Sequence, residues 1–162
     1  MNAAHIHLIV NHIPIITTLI GIFVLGWGMY KKDISIRNIA FVLFIIGAVS
    51  SFVAIETGES AEDIVEEVTS ISHDAIHDHE EAAELSLWFA VVMGLLSMGA
   101  LAVRKLKLRF ETGLNIAILI TALVTLGVLA YTGYKGGEIR HPEAYTEHMD
   151  IQQSDAGTDL SV

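Results

Sequence analysis

The sequence predicts an all-α fold: an integral membrane four-helix bundle with both termini on the outer side. Three observations predict it. Of the 162 residues 52% are hydrophobic, and the mean hydropathy of +0.55 is too apolar for an ordinary soluble domain of this length. Segments Leu8 to Tyr30, Asn38 to Ile55, Leu85 to Val103 and Gly113 to Tyr134 carry no formal charge and approach or exceed the ~20 residues that a hydrocarbon core demands. Lys31, Lys32 and Arg37 fall between the first two spans, and Arg104, Lys105, Lys107 and Arg109 between the last two. By the positive-inside rule both short loops are cytoplasmic and both termini lie outside.

The first span opens on His5-Ile6-His7-Leu8-Ile9-Val10-Asn11-His12-Ile13-Pro14. No basic n-region or small-residue cleavage site accompanies it, so it reads as a retained helix rather than a signal peptide. At about 100° per residue His5 and His12 nearly eclipse each other, while His7 lines up with Asn11, Pro14, Thr18 and Gly21. Both faces therefore offer a ligand at the outer mouth.

Span two carries a stripe of small residues, Ala40, Gly47, Ser51, Ala54 and Gly58, expected to face the bundle. Beyond it two arrangements compete. Either the helix continues past Gly58 and brings Glu62 onto the stripe, or Ser60 and Asp63 cap a new amphipathic helix lying on the membrane surface. Ser70-Ile71-Ser72 reads as a break. The acid-rich stretch from His73 then starts a helix whose first turns protrude below span three. In that register His79 lines up with Ala83, Ser86, Ala90 and Ser97 and points into the bundle. His73, His77, Glu80 and Glu84 form a second ladder, where His77 with Glu80, Glu81 or Glu84 can bind an ion locally.

Span four ends in Tyr131 and Tyr134, and Gly136-Gly137 is expected to stop the helix and fold Glu138, Arg140 and His141 back over the mouth. Residues 1–142 thus make the membrane domain, with an outer acidic and histidine-rich helical loop over 56–84. Residues 143–162 form a polar extracytoplasmic tail, disordered from Gln152 onward.

All eight histidines fall on the expected outer side. Glu56, Glu59, Glu62, Glu80, Glu84 and Glu138 accompany them. Without cysteine the chain has no disulfide, thiolate ligand, cysteine-ligated iron–sulfur cluster or c-type haem linkage. Imidazole and carboxylate suit iron, copper, zinc or manganese, and bundles bring such ligands inward from separate helices. His5, His7, His12, Glu59, Glu62, His77, His79, Glu80 and His141 are the expected metal ligands, His12 and His79 first among them. Neither a HExxH site nor the paired Glu-x-x-His of di-iron bundles is present.

Haem b is the alternative centre, with His12 and His79 facing the porphyrin and Arg140 or Lys135 pairing its propionates; the surrounding glutamates weigh against it. A third alternative is a structural or assembly subunit of a membrane complex, and a fourth is a histidine-based pH sensor. The net charge of −10 lies mostly on the outer loop and tail, where it can attract cations or a basic redox partner. Nucleic-acid binding has no support, and no nucleophile–base pair assigns a hydrolytic or transferase reaction.

The His7, His12 and Pro14 spacing resembles an uncharacterised family of small four-helix bacterial membrane proteins. Thr57-Gly58 and Gly136-Gly137 are similar in placement. Members joined to cytochrome c or Rieske-type domains imply a redox setting; the expected location is a bacterial inner membrane. The chain departs from that family's pattern at Glu59-Ser60, where an aspartate is usual nearby, and in its additional histidine-rich loop.

Overall fold

In a computed structural model, residues 3–68, 73–105 and 111–140 are described, and all of them are helix or tight turn. The elements are α1 (Ala3–Val10), α2 (His12–Tyr30), α3 (Ile34–Val68), α4 (His73–Lys105) and α5 (Glu111–Arg140). Four stretches are long and apolar enough to cross a membrane: His5–Tyr30, Ile34–Ser60, Asp74–Arg104 and Thr112–Ile139.

α1 and α2 form one rod with a single irregular residue. Pro14 has no N–H to give the Val10 carbonyl, so the ladder misses one rung there. Asn11 nevertheless keeps helical angles, φ −62° and ψ −19°, and its N–H reaches the His7 carbonyl at 2.9 Å. The chain therefore continues without a change of face, and the stripe from His7 to Gly21 stays on one side.

The α2–α3 connection is a Schellman turn. The N–H of Asp33 donates to the Gly28 carbonyl at 3.0 Å and that of Lys32 to the Met29 carbonyl at 3.2 Å. Lys32 occupies the left-handed position, φ 55°, usually held by glycine. Asp33 then caps α3, its Oδ1 accepting from the N–H groups of Ser35 and Ile36 at 2.8 and 3.1 Å. Gly28 is required by closeness, since a Cβ there would meet the Arg37 backbone nitrogen at 2.9 Å.

α2 packs on α3, α3 on α4, α4 on α5 and α5 back on α2, closing an up-and-down ring; α1 rides above α2 and rests on α3. At the end bearing the α2–α3 turn, large side chains fill the ring: Leu25, Phe41, Phe44, Met93 and Ile118 are fully buried. Arg104 ties three helices there. Its Nη1 donates to Asn38 Oδ1 and to the Ile34 carbonyl (3.2 Å), its Nη2 to Asn115 Oδ1 (3.4 Å), and its guanidinium lies 4.9 Å from the centre of the Phe41 ring. Lys31 stands 4.9 Å from the Trp27 ring centre, giving this end the aromatic and basic rim of a membrane interface. Phe23, Trp88, Leu95 and Ile120 point outward, as a lipid solvent allows.

At the opposite end, which carries the histidines, the same ring is lined by Pro14, Thr18, Ser50, Ser51, Ala82, Ser86, Ala90 and Thr125, all buried. The stripes expected from sequence on α3 and α4 are thus the faces turned inward.

Two expectations about helix ends are resolved. α3 runs on past Gly58 to Val68, about 52 Å at 1.5 Å per residue, and Ser60 bonds back to the Glu56 carbonyl at 3.0 Å instead of capping a new helix. α5 does not stop at Gly136-Gly137 but continues through Arg140. Glycine lowers helix propensity by about 1 kcal/mol against alanine, and packing on α4 outweighs that. The expected break at residues 70–72 and the tail beyond 140 lie outside the described residues.

Candidate metal centre

His7 is held on α1 with its ring turned toward α3. Its Nδ1 is 2.9 Å from the Ala54 carbonyl and 3.4 Å from the Thr57 hydroxyl. A carbonyl can only accept, so Nδ1 carries the proton and Nε2 keeps its lone pair. The ring lies on Gly58, where an added Cβ would stand 3.1 Å from His7 Cε1 and 3.3 Å from Nδ1. Any larger residue would displace the imidazole.

His79 repeats this arrangement on the other helix pair. Its Nδ1 donates to the Thr132 carbonyl of α5 at 3.0 Å, so in the neutral ring Nε2 keeps the lone pair. Its ring lies on Gly136, where a Cβ would stand 3.1 Å from Cε1 and 3.4 Å from Nδ1. In both pairs the glycine follows the accepting carbonyl by four residues, one turn further along the same face. Thr132 locks the register from its own side, its hydroxyl donating to the Ala82 carbonyl at 2.8 Å.

A backbone-anchored Nδ1 with a free Nε2 is the usual state of a metal-binding histidine, because the anchored proton fixes the tautomer and aims the lone pair. Two further interior atoms near this end lack partners. Thr18 Oγ1 is buried with none, and so is Asn11 Oδ1, both on the stripe that begins with His7. Buried polar atoms are satisfied in nearly all native interiors, so this end of the bundle is short of partners.

The other expected ligands are distributed differently. His12 is exposed, and its Nδ1 bonds back to the Leu8 carbonyl of its own helical turn at 3.0 Å. It is His7, one face away, that shares the interior with His79; the Pro14 irregularity does not rotate His12 inward. His5 and Glu59 are also exposed, and Glu80 is half-buried. His77 faces solvent and sits 3.6 Å from Glu81 Oε1, an i,i+4 pair on the surface of α4. Glu62 and Arg140 lie in α3 and at the end of α5. Their side chains, like all of His141, lie outside the described residues.

Lys135, the other cation expected near a propionate, is held by two acids, Asp78 Oδ2 at 3.0 Å and Glu138 Oε2 at 3.1 Å. Among the described residues no group of three or more histidine and acidic side chains is close enough to hold an ion. His7 and His79 each anchor Nδ1 on a carbonyl of a neighbouring helix.

Gly58 and Gly136 are the residues that sequence reasoning undervalued as ring supports. Their signal was faint but real: each follows a threonine-containing turn at the outer end of its span. No curated protein and no solved structure matches the chain significantly. Residues 3–144 match the family described as "Predicted membrane protein (DUF2231)", and the chain belongs to that family of membrane proteins of uncharacterised function.

Proposed function

We propose that this protein is a membrane metalloprotein whose redox-capable centre lies at the histidine end of the bundle, serving electron transfer or metal handling within an envelope complex. One observation carries the proposal. His7 and His79 each commit Nδ1 to a carbonyl of the neighbouring helix and keep Nε2 as a donor. Iron, copper, zinc and manganese all accept imidazole, so the donor type sets the class of metal.

The basic turns argue that the histidine end is extracytoplasmic, in a bacterial inner membrane with both termini outside. Asp78, Glu81, Glu84 and Glu59 then give that surface a negative charge suited to a basic redox subunit or to metal cations. The arrangement offers no activated nucleophile, and the reaction it suits is the passage of an electron or an ion.

The test is elemental analysis of purified, detergent-solubilised protein together with oxidised and dithionite-reduced absorption spectra. About one metal centre per chain is expected. His7→Ala and His79→Ala should each weaken retention at least ~10-fold, since even the removal of groups that merely orient a ligand costs that much. His12→Ala should leave it unchanged. Metal content unaltered in both the His7 and His79 variants would overturn the proposal.

A further inference from the structure

The two imidazoles are equivalent in a way that restricts what they can hold. Each is presented by the first helix of a helical hairpin, anchored to a carbonyl on the second, and supported on a glycine four residues after that carbonyl. Donors supplied equivalently from opposite hairpins suit an acceptor with two equivalent, opposed positions.

A zinc, manganese or non-haem iron ion generally takes three or more protein ligands. Among the described residues no third histidine or carboxylate joins the pair. Haem iron takes its four equatorial nitrogens from the porphyrin and asks the protein for two axial donors.

The walls agree with a flat, bulky, apolar guest. At the histidine end the spans turn mostly small residues inward: Pro14 and Thr18 from α2, Ser51 and Ala54 from α3, Ala82 and Ser86 from α4, and Thr125 with the larger Leu129 from α5. Glycine under each ring lets the imidazole lie against the helix backbone. The partnerless Thr18 and Asn11 oxygens mark an interior that the chain's own side chains do not complete. Glu59, Glu81 and Glu84 are exposed and Glu80 is half-buried.

We propose that His7 and His79 are the two axial ligands of one b-type haem inserted between the α1–α3 and α4–α5 pairs. This rests on the metal-centre proposal and sharpens it. Ligation forms two Fe–Nε2 bonds, and a neutral ring that keeps its proton on the carbonyl-bonded Nδ1 has none to release from Nε2. Bis-imidazole iron is six-coordinate, so the centre would pass single electrons without an open position for a substrate. His7 and His79 would serve as ligands; Gly58, Gly136 and the Ala54 and Thr132 carbonyls would serve as positioning groups.

The experiment uses the full chain in detergent, as purified and after titration with hemin. The expected result is one haem per chain with the optical and paramagnetic signature of a low-spin, bis-imidazole iron. His7→Ala and His79→Ala should each turn it high-spin or lose it, and added imidazole should restore the low-spin spectrum in a variant that retains the haem. His5→Ala and His12→Ala should leave the spectrum unchanged, which separates ligation from general damage to the fold. Protein that takes up no hemin but carries stoichiometric copper, zinc, iron or manganese overturns the haem and leaves the metal centre standing. Neither haem nor metal overturns both. A low-spin spectrum abolished by His12→Ala and indifferent to His7→Ala also overturns the assignment.

Discussion

The two ends of the bundle bury the same kind of surface with opposite materials. At the turn end, Phe41, Phe44, Leu25, Met93 and Ile118 interlock, Gly21 accommodates the Phe44 ring, and Arg104 bonds across to α3 and α5. At the histidine end the interior is mostly hydroxyl, alanine and glycine, with Pro14 and Leu129 the larger buried groups, two imidazoles anchored sideways and two oxygens left without partners. In a membrane there is no hydrophobic drive between helices, so packing contacts must hold the ring together. One end supplies them with large interlocking side chains, and the other closes on small ones and leaves two buried oxygens without partners.

The largest effect that would break this contrast is a cavity at the packed end. Phe44→Ala should cost about 3–5 kcal/mol, the usual range for removing a buried phenylalanine. Ser86→Ala at the other end removes only a hydroxyl bonded within its own helix and should cost less than ~1 kcal/mol. Unfolding in mixed micelles of increasing denaturing detergent measures both, and equal losses would erase the distinction between the ends.

A middle-sized effect sharpens the equivalence of the two histidines. Gly58→Ala and Gly136→Ala each place a methyl 3.1 Å from an imidazole carbon. Alanine gains about 1 kcal/mol in helix propensity while overpacking costs about 1–3 kcal/mol, so net destabilisation should stay below ~2 kcal/mol. Retention of the centre should nevertheless fall, and by a similar factor in both variants. A loss confined to one of them would show that the rings are not equivalent.

The smallest effect concerns the turn. Lys32 holds a left-handed conformation that costs a side-chain-bearing residue roughly 1–2 kcal/mol. Lys32→Gly relieves that strain but adds unfolded-state freedom, for a net gain of about 0.5–1 kcal/mol in the same unfolding assay. It should leave the histidine end untouched.

Reading faces from helical period worked wherever the helix stayed regular. The stripe from Ala40 through Ser51 to Gly58 and the stripe from His79 through Ser86 and Ala90 to Ser97 both turn inward, because 3.6 residues per turn keep such positions on one side. Period alone could not choose between His7 and His12, since a helix has two sides and a proline can rotate one against the other. Nor could it end a helix correctly at Gly136-Gly137, where local propensity favoured a stop and packing against α4 carried α5 onward.

What the sequence determined by itself was the membrane class, the number of spans, their inward faces and the crowding of histidine toward one end. Those follow from local quantities: hydropathy over a span's length, the helical period and the placement of charge. Only the tertiary structure decided that His7 meets the Ala54 carbonyl and His79 the Thr132 carbonyl, each across about fifty residues of chain. Such a pairing depends on which helix lies beside which and at what height. Nothing in the neighbourhood of either histidine encodes that; the closure of α2, α3, α4 and α5 into a ring does.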